Sequence, residues 1–341
     1  MSQTKIDNKY RHKDFLSALK VIATILVVYV HGDNVFIYAD FKELPRFRNV
    51  LSVINATAVP IFYLISGYLL FSKPFDYKTN IIKKCRSLLL PFFIWNTVWF
   101  LFETALFLYS PSLSDITDWS FQGILISYFG IPMSSANPIY APLWFVRDLF
   151  VLNVFSFVIK GAFDRINRNV ILLAILILWF MPINICARQS ICFFCLGGLF
   201  NYYKTKPSLQ KPIVFAVVCG ILGVMIPFLS TYEPVIRCAV LFCIASIMMG
   251  VLVFTNLQHY LAKLIPFSFA IYVMHGKLLS LVQILLVKLL PQTSFMIMLE
   301  YYFIPILIIG ICVLISMLLS RICPSVYALS VGSRYGAKVK K

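Results

Sequence analysis

Two histidines and a few cations stand inside stretches that are otherwise apolar, and they are the residues best placed to do chemistry. His31 lies late in the apolar run 15–37, and His275 sits inside the run 266–290. An ionisable side chain at mid-membrane depth costs about 2.5–3.5 kcal/mol on insertion scales, so each is a functional candidate by default. Histidine exchanges its proton near neutral pH, which makes His31 the best general base in the chain. The competing role for each histidine is a structural hydrogen bond to another helix, with Asn34 one turn on as a partner for His31. Lys20 shares the first run with His31. Eleven residues separate them, on a helix about 20° in azimuth and about 16 Å in height, so both face one side. Lys20 serves a ligand on that face or snorkels to the headgroups.

Lys83, Lys84 and Arg86 stand just ahead of Pro91, at the mouth of the third run. Such a cluster marks a cytoplasmic loop, or it clamps a phosphate-bearing ligand by charge and forked hydrogen bonds. Arg147 and Asp148 follow Leu143-Trp144-Phe145-Val146 near the expected outer end of the fourth run. They neutralise each other or line an outer vestibule for a polar substrate, and Glu103 is a further partner for Arg147. Ser66 and Gly67 are small and suit close helix packing; a nucleophilic Ser66 is the rarer alternative, since no G-x-S-x-G elbow is present. Cys192 and Cys195 form a CxxC, but Phe193 and Phe194 lie between them and no second ligand pair follows. The nine cysteines therefore read as packing residues, and no metal is expected.

The elements that must position these residues follow from composition. The 341 residues are 60% hydrophobic and 13% charged, against about 45–50% and 25% for a soluble domain. That excludes a soluble enzyme, a disordered chain and a disulfide scaffold. Ten apolar runs fall at 15–37, 49–72, 87–109, 142–160, 170–185, 189–203, 212–230, 235–256, 266–290 and 296–322. The expected fold is all-α, a polytopic membrane protein of about ten transmembrane helices. The net charge of +17 is not a nucleic-acid signal here, because the basic residues sit between apolar runs and face anionic lipid headgroups. With the N-terminus inside, 22 of the 30 Lys and Arg fall on inner segments and six on outer ones. That split puts both termini in the cytoplasm. The long loop 110–141 carries Asp115 and Asp118 without Lys or Arg and falls outside. The expected division is a cytoplasmic segment 1–14, a membrane domain 15–322 and a basic cytoplasmic tail 323–341. The first run is too long for a cleavable signal peptide and lacks a small-residue cleavage site.

Five short motifs in order give the chain a family resemblance. Lys20 and His31 share the first helix; Pro60-Ile61-Phe62-Tyr63-Leu64-Ile65-Ser66-Gly67-Tyr68 lies in the second; Lys83 and Arg86 precede Pro91 at the third; Leu143-Trp144-Phe145 opens a later one; Tyr272-Val273-Met274-His275 lies late. In this the chain resembles the acyltransferase 3 family, integral-membrane acyltransferases of envelope glycans and other acceptors. It departs from the family pattern at Ser17, where an acid is frequent, and at Lys83, where an arginine is frequent. A lysine makes no bidentate phosphate fork.

The resemblance implies ten core helices in a bacterial inner membrane, and transfer of an acyl group from acyl-CoA, acetyl-CoA first, to a hydroxyl of an extracytoplasmic glycan. On that reading Lys20, Lys83 and Arg86 hold the donor's phosphates and His31 is the general base, or carries the acyl group itself. His275, Ser66 or a backbone N–H supplies the oxyanion donor, and Arg147 and Asp148 meet the acceptor. The rival reading is a transporter or flippase, with the same polar column relaying protons; a scaffold or sensor is a third.

Overall fold

Backbone polar groups in hydrocarbon must pair within their own segment, so each apolar run can cross a bilayer only as a helix. The computed structural model bears this out. It describes residues 3–42, 44–111, 114, 116, 118–130, 137–181, 188–202 and 211–332, with side chains from Lys13 onward, and among these residues there is no strand. Of Lys5, Lys9 and Arg11 only the backbone is described, and Asp115, Cys186, Lys204, Lys206, Arg334, Lys338, Lys340 and Lys341, all counted in the sequence reading, fall outside that description.

The first half of the chain runs α1 (Gln3–Gly32), α2 (Asn34–Tyr38), α3 (Pro45–Asn55), α4 (Ala58–Phe71), α5 (Tyr77–Lys84), a π-helical turn (Cys85–Leu89), α6 (Leu90–Tyr109) and α7 (Phe121–Phe129). A 3₁₀ turn (Ala141–Leu143) then leads into α8 (Trp144–Val154), α9 (Ser156–Arg165), α10 (Arg168–Phe180) and α11 (Arg188–Leu199). The last third is α12 (Pro212–Leu229), α13 (Glu233–Val253), α14 (Thr255–Ala262), a 3₁₀ turn (Ile265–Phe267), α15 (Ser268–Leu289), α16 (Ser294–Ile322) and α17 (Pro324–Ser330).

All ten apolar runs fall on helices, but they are not ten equal spans. Among the described residues seven stretches are long and apolar enough to cross a membrane, or eight if the α8–α9 pair counts as one. That pair is bent by 53° at Phe155. At 1.5 Å per residue, α10 and α11 reach only about 20 Å, short of a hydrocarbon core of about 30 Å. The ends of the chain also differ from the expected division. The N-terminal segment is continuous with α1 from Gln3 onward. Part of the expected tail folds as α17 and returns to α6, where Trp95 Nε1 donates to the Ser330 carbonyl at 3.0 Å.

Two local features shape the bundle around the candidate residues. Pro91 has no N–H and its ring collides with the carbonyl four residues back, so a regular helix cannot pass through it. The chain opens into the π turn just before it, where Leu90 N–H reaches the Cys85 carbonyl. Elsewhere α4 and α11 touch backbone to backbone. A Cβ at Gly67 would lie 2.0 Å from the Phe194 carbonyl oxygen, and one at Gly197 2.0 Å from that of Leu64. The small residues are what allow this approach.

The segment entering α8 differs most from expectation. Residues 137–143 reach the middle of α15 instead of staying in the outer loop: the Tyr272 hydroxyl donates to the Pro142 carbonyl, and Gly276 N–H donates to the Tyr140 hydroxyl at 3.2 Å. Tyr140 is 1% exposed and stacks on Trp99, and its N–H donates to Asn96 Oδ1 at 3.3 Å. An aromatic ring with a satisfied hydroxyl is stable at that depth.

Candidate active site

His31 and His275 meet. Their ring centroids lie 5.0 Å apart, tilted by 56°. His31 stands in the last turn of α1, and His275 is wholly buried in the middle of α15. His275 Nδ1 lies 2.8 Å from the Tyr272 carbonyl and 3.1 Å from that of Ile271. A carbonyl only accepts, so Nδ1 carries the proton and Nε2 presents a lone pair. Among the described residues Nε2 has no hydrogen-bond partner. Asn34, the partner expected for His31, makes no hydrogen bond to it there.

Below the pair lies a cavity of about 900 Å³. Lys20 and Thr24 of α1, Ser66 of α4, and Lys73, Lys83 and Lys84 around α5 line its walls. Phe62, Phe145 and Tyr272 close its inner end. The Phe145 ring stands 5.5 Å from Phe62 and 5.8 Å from Tyr272, and Tyr272 is 6.2 Å from His275. The cavity wall thus carries both lysines and an aromatic cluster, and Tyr272 of that cluster neighbours His275. Asp76, also on the wall, caps α5 by accepting from Thr79 N–H at 3.1 Å. Hydrogen bonds from Thr79, aided by Lys83 and Lys78, hold its carboxyl below the usual carboxylate range.

The structure brings together Lys20, Lys83 and Ser66 at the cavity and His31 with His275 behind it. It leaves three expected residues elsewhere. Arg86 is exposed on the π turn and is not among the residues that line the cavity. Arg147 Nη2 lies 2.8 Å from Asp148 Oδ1, and Arg147 Nη1 donates to the Phe129 carbonyl at 3.3 Å. Asp148 Oδ2 accepts from Ser190 at 3.3 Å. Of the two roles open to Arg147 and Asp148, mutual neutralisation is therefore the one with contacts. Glu103 pairs with Lys277 at 3.5 Å and accepts from Ser114 at 3.0 Å, in place of the expected contact with Arg147.

Lys73 and Asp76 were not singled out in the sequence. A lone lysine and a helix-capping aspartate carry no chemical signature until the loop between α4 and α5 is seen folded over the cavity. The capping pattern Asp76-Tyr77-Lys78-Thr79 was the available signal.

The model of a family described as an acyltransferase domain matches residues 13–320. The chain is also similar to the succinoglycan biosynthesis protein ExoH of Rhizobium meliloti (strain 1021), 28% identical over 306 residues, which cover 82% of this chain and 80% of that protein. No solved structure matches the chain.

Proposed function

This chain belongs to the acyltransferase 3 family, and from that premise we propose that it moves an acyl group from cytoplasmic acyl-CoA, acetyl-CoA first, to a hydroxyl of an extracytoplasmic envelope glycan. It is a membrane protein of several apolar helices; the bacterial inner membrane is the proposed location. The carrying observation is the lysine-lined cavity that ends one aromatic layer short of the His31–His275 contact. The similarity to a protein named for succinoglycan biosynthesis supports a polysaccharide acceptor.

In the proposed reaction the donor's phosphates rest on Lys20, Lys73, Lys83 and Lys84, and Arg86 serves at most from outside the cavity. The pantetheine arm passes Ser66 and parts the Phe62–Phe145–Tyr272 layer. His31 takes the proton from the acceptor hydroxyl as its oxygen attacks the thioester carbonyl. The C–S bond then breaks, the ester remains on the acceptor, and His31 returns its proton to the departing thiolate. With its tautomer fixed, His275 is suited to accept a hydrogen bond at Nε2 and so to orient His31, rather than to donate to the oxyanion.

The test is kinetic. Charge removal at Lys83 and Lys84 together should raise the KM for acetyl-CoA by about tenfold or more with kcat little changed, as expected when binding contacts are lost uniformly. An unchanged KM in a well-expressed variant would contradict the donor assignment.

A further inference from the structure

A second recess opens just past the C-terminal end of α1, at Asp33 and at Phe36 of α2. His31 lies two residues before Asp33 in the chain and lines neither this recess nor the large cavity. The recess holds about 370 Å³, and its remaining wall is Pro45, Arg48, Asn49 and Ser52 of α3. That volume is at the small end of ligand sites, room for one sugar residue rather than a chain.

Its chemistry is selective. Asp33 Oδ1 receives Asn55 Nδ2 at 3.4 Å, and Asp33 makes no other side-chain hydrogen bond among the described residues. Asn55 is itself anchored on the Tyr301 hydroxyl at 3.1 Å. Arg48 donates to the Phe41 carbonyl at 2.8 Å and lies over the Phe36 ring, 5.0 Å from its centroid. The two charged side chains are therefore held in place before any ligand arrives. One carboxylate and one guanidinium make the recess neutral as a whole, which disfavours an anion or a cation. With Asn49 and Ser52 they offer both donors and acceptors, the complement of adjacent hydroxyls that each donate and accept.

We propose that this recess is the acceptor site and that it takes one neutral pyranose ring, with Asp33 as the residue that accepts from its hydroxyls. This deepens the acyltransferase reading and rests on it. It also moves the acceptor away from Arg147, which is occupied by Asp148 and the Phe129 carbonyl.

Binding can be read without chemistry. Ser52 is exposed on the recess wall, so the full-length Ser52→Cys variant in detergent is labelled with a polar maleimide, with and without the methyl glycosides of glucose, galactose and mannose, and the label at residue 52 is read by peptide mapping apart from that on native cysteines such as the exposed Cys323. At least one glycoside should slow labelling. Asp33→Asn added to it should weaken that protection about tenfold or more, the cost of losing a hydrogen bond to a charged group. His31→Ala added instead should keep it. In transfer assays Asp33→Asn should raise the KM for the glycoside while the KM for acetyl-CoA stays at its wild-type value. Failure of all three glycosides to protect, or protection indifferent to Asp33→Asn, overturns the proposal even if acyl transfer is observed. Protection that depends on Asp33 in a protein with no acyl transfer leaves the sugar site standing and removes the acyltransferase mechanism instead.

Discussion

His275 donates Nδ1–H to the carbonyls of its own helix, and its ring lies 5.0 Å from that of His31. In the proposed reaction His275 orients His31 without taking part in the bond changes. Replacing His275 with alanine should cut kcat about 10²-fold and leave the KM for acetyl-CoA in place, measured by steady-state kinetics in nanodiscs. A rise in donor KM with unchanged kcat would assign His275 to the cavity wall instead. Ser66→Ala should keep turnover near wild type, since the hydroxyl lines the cavity without a base beside it among the described residues; complete loss would mark a nucleophilic serine. At this scale the sequence was informative where one helix carries both members of a pair. The shared helix of Lys20 and His31 was legible from the apolar run that holds both. The Glu103–Lys277 pair was not, because it joins residues 174 apart whose helices could face any neighbour.

The approach of α4 to α11 depends on two glycines, and it holds Ser66 at the cavity wall. Gly67→Leu or Gly197→Leu would drive a side chain into a facing carbonyl and should cost about 1–3 kcal/mol, read as a lower Tm in detergent. Unchanged Tm in both would mean the helices separate freely. The small pair Ser66-Gly67 announced close packing in the sequence, but nothing there named α11 as the partner. Apolar composition and helical period identify elements; which faces meet depends on helix azimuth, and a helix buried all round gives little of that away. The same limit explains α8. Its apolar run was evident, but the approach of Tyr140 and Pro142 to α15 rests on two hydrogen bonds to α15 and one from Tyr140 to Asn96 of α6, between distant segments.

Across the whole molecule, the proposed reaction needs donor and acceptor to arrive from opposite sides. The orientation expected from the 22-to-6 division of Lys and Arg would set the lysine-lined cavity toward the cytoplasm and the Asp33 recess toward the outside. A fluorescent protein fused after residue 341 should therefore glow, and a periplasmic phosphatase fused there should be silent. The reverse would turn the cavity away from the acyl-CoA pool. Span number is less legible than orientation, because hydropathy counts apolar residues but does not say whether a run such as α10 or the bent α8–α9 pair crosses completely.

In the proposed reaction acyl transfer passes through His31. Its most direct test is transfer of label from radiolabelled acetyl-CoA in inverted membrane vesicles, wild type against His31→Ala at matched protein level. The expected result is label in envelope glycan in the wild type and a loss of about 10²–10⁴-fold in the variant. Equal labelling in the two would contradict the claim.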